Sequence, residues 1–205
     1  MAAQVNVAVI YYSATGITYQ MAQSAREAAE DAGAQVRLRK VRELAPDEAI
    51  RSNSGWEAHR LETQDVDEAQ PDDLTWADVV IFGSPTRYGL VAAQLKQFID
   101  GTGPLWAQGA LANKVYSAFT STATQHGGQE STLLSLFHVF YHWGGIVVTP
   151  GYTDPSQFTA GNPYGASHTS NNGETAPDHV ALGATALTAK RAVQIGAALK
   201  QGLAG

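Results

Sequence analysis

The sequence predicts an α/β protein, a doubly wound parallel sheet with helices on both faces. Three observations carry that expectation. The runs VNVAVIYY (5–12), DVVIFGS (78–84) and GIVVTP (145–150) are apolar without alternation, the pattern of strands buried on both faces. Such runs alternate with stretches of helical periodicity, as a sheet built from crossover connections requires. At 205 residues, 44% of them hydrophobic, the chain is long enough for one sizeable core, so residues 1–205 are read as a single domain.

Taken in order, the first strand (5–12) passes through a short turn into a helix at 18–32, with Gly33 where a left-handed C-cap belongs. QVRLRK (35–40) alternates apolar and polar residues and suits an edge strand, whereas 42–77 is polar and acidic, with Trp56 and Trp76 its only large anchors. The strand at 78–84 precedes a helix at 92–101, and KVYSAFTS (114–121) is a weaker strand before a helix at 129–143. After 145–150 comes a segment rich in Gly, Pro, Ser and Asn (150–178). A closing helix at 178–203 then sets Ala184, Ala192, Ile195 and Leu199 in i, i+3/i+4 register. Five strands so arranged fit the flavodoxin-like order 2-1-3-4-5 better than a larger dinucleotide-binding sheet. Loops as long as 42–77 and 150–178 are functional or disordered, and the second is expected to be a lid or subunit contact.

Composition narrows the chemistry. A net charge of -6 with 13 Lys and Arg opposes nucleic-acid binding, which needs clustered cations. With no cysteine there is no disulfide, zinc–thiolate site or iron–sulfur cluster, no metal is expected, and any redox activity belongs to a bound organic cofactor. The opening MAAQVNVAVIYY lacks a basic n-region and no apolar run approaches the ~18 residues of a membrane span, so a soluble cytoplasmic protein without membrane insertion is expected.

In an open parallel sheet, ligands bind beyond the carboxyl ends of the strands, where strand order reverses. Three loops fall there. SATGIT, comprising Ser13, Ala14, Thr15, Gly16, Ile17 and Thr18, lacks the lysine of a triphosphate loop and the glycines of a dinucleotide loop. It offers instead a helix N-terminus and three hydroxyls, neutral donors suited to a monophosphate that is held rather than transferred. Ser13 or Thr18 would serve equally as a helix cap. In the second loop Thr86 suits a ring carbonyl, Arg87 a reducible ring that gains charge, and Tyr88 stacking, against the alternative of Arg87 as a solvated surface charge. The third, TSTATQHGGQES, brings small residues near Ala123 and Thr124 toward a planar ligand. Gly127 and Gly128 supply unusual dihedrals there, and Gln129 or Glu130 suits a cap for the next helix.

YYSATGIT, FGSPTRYG, GPLWAQGAL, STATQHGGQE and GNPYGAS, in this order and over nearly the whole chain, resemble the WrbA-type NAD(P)H:quinone oxidoreductases of the flavodoxin-like FMN family. The resemblance implies FMN bound by the three loops, NADH or NADPH as electron donor, a quinone substrate reduced by two-electron ping-pong transfer, and self-association from dimer to tetramer. Carried over, Ser13 through Thr18 hold the phosphate, while Pro85, Thr86, Arg87 and Tyr88 with Ser121, Thr122, Ala123, Thr124, Gln125, His126 and Gly127 hold the flavin and ribityl region. Trp106 lines the substrate pocket, and Thr15 stands where the family usually places an aromatic over the nicotinamide. Ala123 replaces a glycine, and His142 with Trp143 replaces a histidine pair beside the cofactor. Arg87 and His142 are thus the candidate catalytic residues, His142 serving equally as a core or interface histidine. Two other functions remain open, a one-electron carrier of the flavodoxin kind and a non-catalytic interaction module.

Overall fold

A computed structural model describes residues 4–203. The chain runs β1 (Asn6–Tyr11), α1 (Ile17–Asp31), β2 (Gln35–Lys40), α2 (Asp47–Arg51), α3 (Ser54–Glu62), α4 (Pro71–Trp76), β3 (Val79–Arg87), β4 (Leu90–Val91), α5 (Ala93–Asp100) and α6 (Gly103–Ala107). It continues through β5 (Val115–Thr122), α7 (Gln129–His142), β6 (Ile146–Val147), α8 (Gln157–Ala160), β7 (Ala166–Thr169) and α9 (His179–Leu203). The main sheet is ordered β2-β1-β3-β5-β6; once the short β4, antiparallel to the end of β3, is set aside, this is the expected 2-1-3-4-5 path.

The sheet has seven strands rather than five because the fifth position is shared by two segments. β6 pairs only with Val115 and Tyr116 of β5, and β7 takes over alongside Phe119 to Thr122. The strand expected at 145–150 is therefore only two residues long, and its second half is supplied from within the segment read as loop.

Each central strand feeds two cores, as unbroken apolar runs demand. On β1, Val7, Val9 and Tyr11 join the core shared with α1 and α9, while Ala8 and Ile10, with Tyr12 just beyond the strand, join the one that holds Leu74 of α4, Leu95 of α5 and Leu133 of α7. The first interface is made of small residues, Ala22, Ala25 and Ala29 of α1 and Ala184, Ala189 and Ala192 of α9, which let the helices lie close to the sheet. A Cβ on Gly196 would stand 2.4 Å from Val79 Cγ2, so only glycine fits there. The buried stripe of α9 accordingly runs through Ala192, Val193 and Gly196, and the expected Ile195 faces outward. The second core is aromatic: Phe82, Tyr116, Phe140 and Trp143 lie with ring centroids 4.9–6.2 Å apart.

The segment 42–77 forms three short helices instead of a loop. Ile50 and Leu74 are buried anchors that its acidic composition hid, and Trp76 lies under Arg37, whose guanidinium carbon is 4.2 Å from the ring centroid. No described helix is long and apolar enough to cross a membrane.

Candidate active site

The carboxyl ends of β1, β3 and β5 deliver three loops to one edge of the sheet. The first begins at Ser13, whose Oγ accepts the Gly16 N–H at 3.1 Å. Gly16 is the N-cap of α1 with φ +93°, a left-handed conformation that glycine adopts without strain, and no side chain caps the helix. The first helical bond is Gln20 N–H to Gly16 C=O at 3.0 Å, which leaves the amides of Ile17, Thr18 and Tyr19 outside the helical ladder and pointing out of its positive end. Thr18 is no cap either. It is buried, and its hydroxyl lies 3.1 Å from that of Ser121, tying the first loop to the third.

These parts enclose a cavity of about 330 Å³. Ser13, Ala14, Thr15, Ile17 and Thr18 line it from the first loop, Pro85, Thr86 and Arg87 from the second, and Ser121, Thr122 and Ala123 from the third. Arg87 is exposed and its Nη1 donates to the Thr86 carbonyl at 2.9 Å. It is the only cation in the lining, so the donors at the α1 end are neutral hydroxyls and backbone amides. That donor set, on a helix of 15 residues, fits the phosphate of a mononucleotide, and the loops from β3 and β5 leave room beside it for a planar ring.

Several expected residues stand elsewhere. Tyr88 has φ +54° and a fully exposed ring that does not line the cavity. Thr124, Gln125 and His126 are exposed on the third loop beyond the lining. Of the two glycines, only Gly128 has a positive φ, +94°; Gly127 is required by close approach, since a Cβ there would lie 2.7 Å from Thr122 Cβ. Gln129 does not cap α7 but donates to Thr169 Oγ1 at 3.2 Å, bracing β7 against the helix. His142 and Trp143 end α7 at the opposite edge of the sheet, where Gly144 C=O accepts from Asn113 at the start of β5. Trp143 is a core side chain, 7% exposed among Phe82, Tyr116 and Phe140, and cannot present its ring to a ligand. Trp106 is 55% exposed at that same far edge, its Nε1 donating to the His142 carbonyl at 2.9 Å.

Sequence reasoning missed five lining residues: Asn53, Trp56, Ser170, Asn172 and Gly173. Asn53 caps α3 by accepting the Trp56 N–H at 3.1 Å, and an NSG triplet before a tryptophan is a readable N-cap signal. Asn171, Asn172 and Gly173 are all left-handed, which an Asn-Asn-Gly run announces. Behind them, Glu43 gathers donors: Tyr12 OH at 2.9 Å and Trp56 Nε1 at 3.1 Å on one oxygen, and Gln94 Nε2 at 2.7 Å with the amides of Leu44 and Ala45 on the other. Burial pushes the Glu43 carboxyl up, but the Ala45 amide, Gln94, the Leu44 amide and Tyr12 outweigh it, so its pKa lies below the ordinary value.

Sheet order and the position of the cavity define a flavodoxin-like α/β protein. The chain belongs to the family of NADPH-dependent FMN reductases, whose profile matches residues 5–159. It is 50% identical over 172 residues to an NAD(P)H dehydrogenase (quinone) of Deinococcus radiodurans, covering 83% of this chain and 86% of that one. It is 43% identical over 199 residues to another of that description from Sinorhizobium fredii, covering 94% and 98%. A flavodoxin, WrbA-like protein from Agrobacterium tumefaciens shares its fold with a TM-score of 0.66 at 25% identity, over 94% of this chain and 98% of that one.

Proposed function

We propose that the protein is an FMN-dependent NAD(P)H:quinone oxidoreductase. The observation that carries the proposal is the cavity at the α1 N-terminus, lined by neutral donors where strand order reverses. The family and the quinone-dehydrogenase relatives support the same reading. Ser13, Thr15 and the free amides of Ile17, Thr18 and Tyr19 hold the phosphate; Thr18 and Ser121 lock the first loop to the third behind it. Pro85, Thr86 and Ala123 would flank the ring and Arg87 would supply positive charge near it, with nicotinamide and quinone taking turns over the ring. The bound flavin supplies the redox chemistry, a hydride from NADH or NADPH and then two electrons to the quinone, which takes two protons to become the hydroquinone.

Trp106 and His142 reach such a site only from a second copy of the chain. Their edge also exposes Tyr141 and Ile146, an apolar surface of the kind subunits cover, so a homodimer or homotetramer with shared sites is proposed. A cytoplasmic location fits this chemistry.

The test is anaerobic titration of the FMN-reconstituted protein with NADH and with NADPH, followed by a quinone. Flavin absorbance should bleach in one two-electron step and return when the quinone is added. Failure to bind FMN would overturn the proposal, and reduction that halts after one electron would favour the carrier function. Light scattering across a dilution series, read beside activity, tests the shared site; a monomer with full activity would exclude it.

A further inference from the structure

Both segments that exceed a minimal fold return to the phosphate loop. α3 brings Asn53 and Trp56 to one side of the cavity, and the turn after β7 brings Ser170, Asn172 and Gly173 to the other. Thr15 lies between them. A Cβ on Gly55 would stand 3.8 Å from Thr15 Cγ2, and one on Gly173 would stand 3.6 Å from Thr15 Oγ1.

We infer that α3 and the 170–173 turn clamp the phosphate end of the cavity, with Asn53 and Asn172 as amide donors and Trp56 as the end wall, and that this clamp selects a flavin mononucleotide over a flavin dinucleotide. The inference rests on the FMN reading above and adds what bounds the cofactor at its phosphate.

Each half of the clamp is fixed from behind while its donor is left free. Ser170 is held by two bonds to the Thr122 carbonyl, from its N–H at 2.7 Å and its hydroxyl at 3.0 Å. Its own carbonyl accepts the amides of Gly173 at 3.0 Å and Thr175 at 2.9 Å. The turn between is left-handed at Asn171, Asn172 and Gly173, with φ of +47°, +58° and +91°. Left-handed residues in succession are held only where surrounding bonds impose them, and they gather at ligand clamps. The Asn171 amide is committed to Glu174 at 3.1 Å, but the Asn172 side chain makes no hydrogen bond within the described residues. Across the cavity, Asn53 uses its oxygen to cap α3 and leaves its Nδ2 donor unspent. Trp56 is oriented by its Nε1–H bond to Glu43, a carboxylate that four other donors keep in place. Its indole separates the cavity from a second one of about 220 Å³ lined by Tyr12, Lys40 and His59.

Discrimination follows from what lies beyond the phosphate. A monoester ends in terminal oxygens, which amides and hydroxyls satisfy. A dinucleotide carries a second phosphate and an adenosine from that point, and both would have to pass where Trp56, Asn172 and Gly173 stand. On the cavity's own side of Trp56 no lysine or arginine lines that end to neutralise the added charge, since Arg87 belongs to the loop after β3 and Lys40 and Arg60 line only the second cavity beyond the indole.

The test measures dissociation constants of the apoprotein for FMN, FAD and riboflavin by quenching of flavin fluorescence. Wild type, Asn172→Gly, Asn53→Ser and Trp56→Ala are compared, with folding checked by circular dichroism. Asn172→Gly keeps the left-handed turn and Asn53→Ser keeps the α3 cap, so each removes only the free amide. Each should weaken FMN about ten-fold, the effect of one hydrogen bond to a charged group, and leave riboflavin unchanged. Trp56→Ala should narrow the preference for FMN over FAD by about ten-fold or more. Should Trp56→Ala fail to fold, Trp56→Leu keeps apolar volume and still thins the wall. Wild type that binds FMN and FAD equally, or variants that bind FMN and FAD as wild type does, would overturn the clamp while leaving the FMN reading standing. Wild type that binds no FMN would overturn that reading instead.

Discussion

α1 carries a left-handed glycine at each end, Gly16 at its N-cap with φ +93° and Gly33 just past its C-cap with φ +87°. Alanine at either position meets little steric resistance: a Cβ on Gly16 has His59 Nδ1 at 3.5 Å as its nearest neighbour, and one on Gly33 has nothing within 4 Å. The cost is therefore backbone strain alone, roughly 1–2 kcal/mol for an L-residue in that region. For a chain of this size that corresponds to a Tm lower by about 2–8 °C in each variant, measured on the apoprotein by calorimetry. The two variants part company in ligand binding. Gly16→Ala relieves its strain by rotating the peptide whose N–H meets Ser13 Oγ at 3.1 Å, which turns the free amides of Ile17 and Thr18 away from a common point. Loss of one charged hydrogen bond there weakens FMN about ten-fold, whereas Gly33→Ala, at the other end of the helix, leaves FMN affinity as it was. Equal Tm losses with unequal FMN affinities are expected in titrations of the refolded apoprotein. Equal FMN affinities would refute the placement of the phosphate at the α1 N-terminus, and an unchanged Tm in Gly16→Ala would refute the strain.

Ser13→Ala, which removes a hydroxyl from the same loop, should weaken FMN about ten-fold in fluorescence titration, and riboflavin should bind much worse than FMN to the wild type. Trp143→Ala should cost about 3–5 kcal/mol in urea unfolding because the ring fills the aromatic core, while His142→Ala should stay within about 0.5 kcal/mol. Stability should also fall with acid below pH 6.5. Burial lowers the His59 pKa from that value, outweighing the hydrogen bond that the ring donates to Glu62, so the unfolded chain takes the proton first. The contribution is complete above 6.5 and is lost as pH falls toward the folded value. His59→Gln should flatten that part of the Tm-against-pH curve, and an unchanged slope would exclude His59 as its source.

The strand order was legible because β1, β3 and β5 are buried on both faces and say so in unbroken apolar runs. The three loops at their ends followed from topology, and eleven of their residues line one cavity. What failed did so for local physical reasons. Adjacency in sequence to a family motif says nothing about which edge of the sheet α7 reaches: the length of β5 separates His142, Trp143 and Trp106 from the cavity of their own chain, and burial in the aromatic core removes Trp143 from any site. Residues 42–77 carry too few apolar side chains for a helical stripe; beside the buried Ile50 and Leu74, polar bonds hold their helices, as where the Asp73 carboxylate accepts the Gln70 amide at 2.9 Å in a local capping box and lies within 3.1–3.2 Å of Arg37 and Arg39 on β2.

The split fifth strand explains why the long second segment belongs to the site. β6 stops where Val148 N–H bonds Tyr116 C=O, and Pro150, with no amide to give, cannot continue the ladder. The chain leaves the sheet and returns at Gly165, where a Cβ would lie 2.5 Å from the Ala118 carbonyl, so the return path touches β5 backbone directly. From there Ala166 to Thr169 pair with Phe119 to Thr122, in register with the very residues that lead into the third loop. Had the fifth strand run on unbroken from β6, its end would lead straight to the closing helix. Because the second half arrives separately, the turn that follows it is anchored on the Thr122 carbonyl through Ser170, one residue from cavity-lining Ala123. The same β5 end thus positions both the third loop and the asparagine turn opposite α3, and a shift of β7 moves the two together.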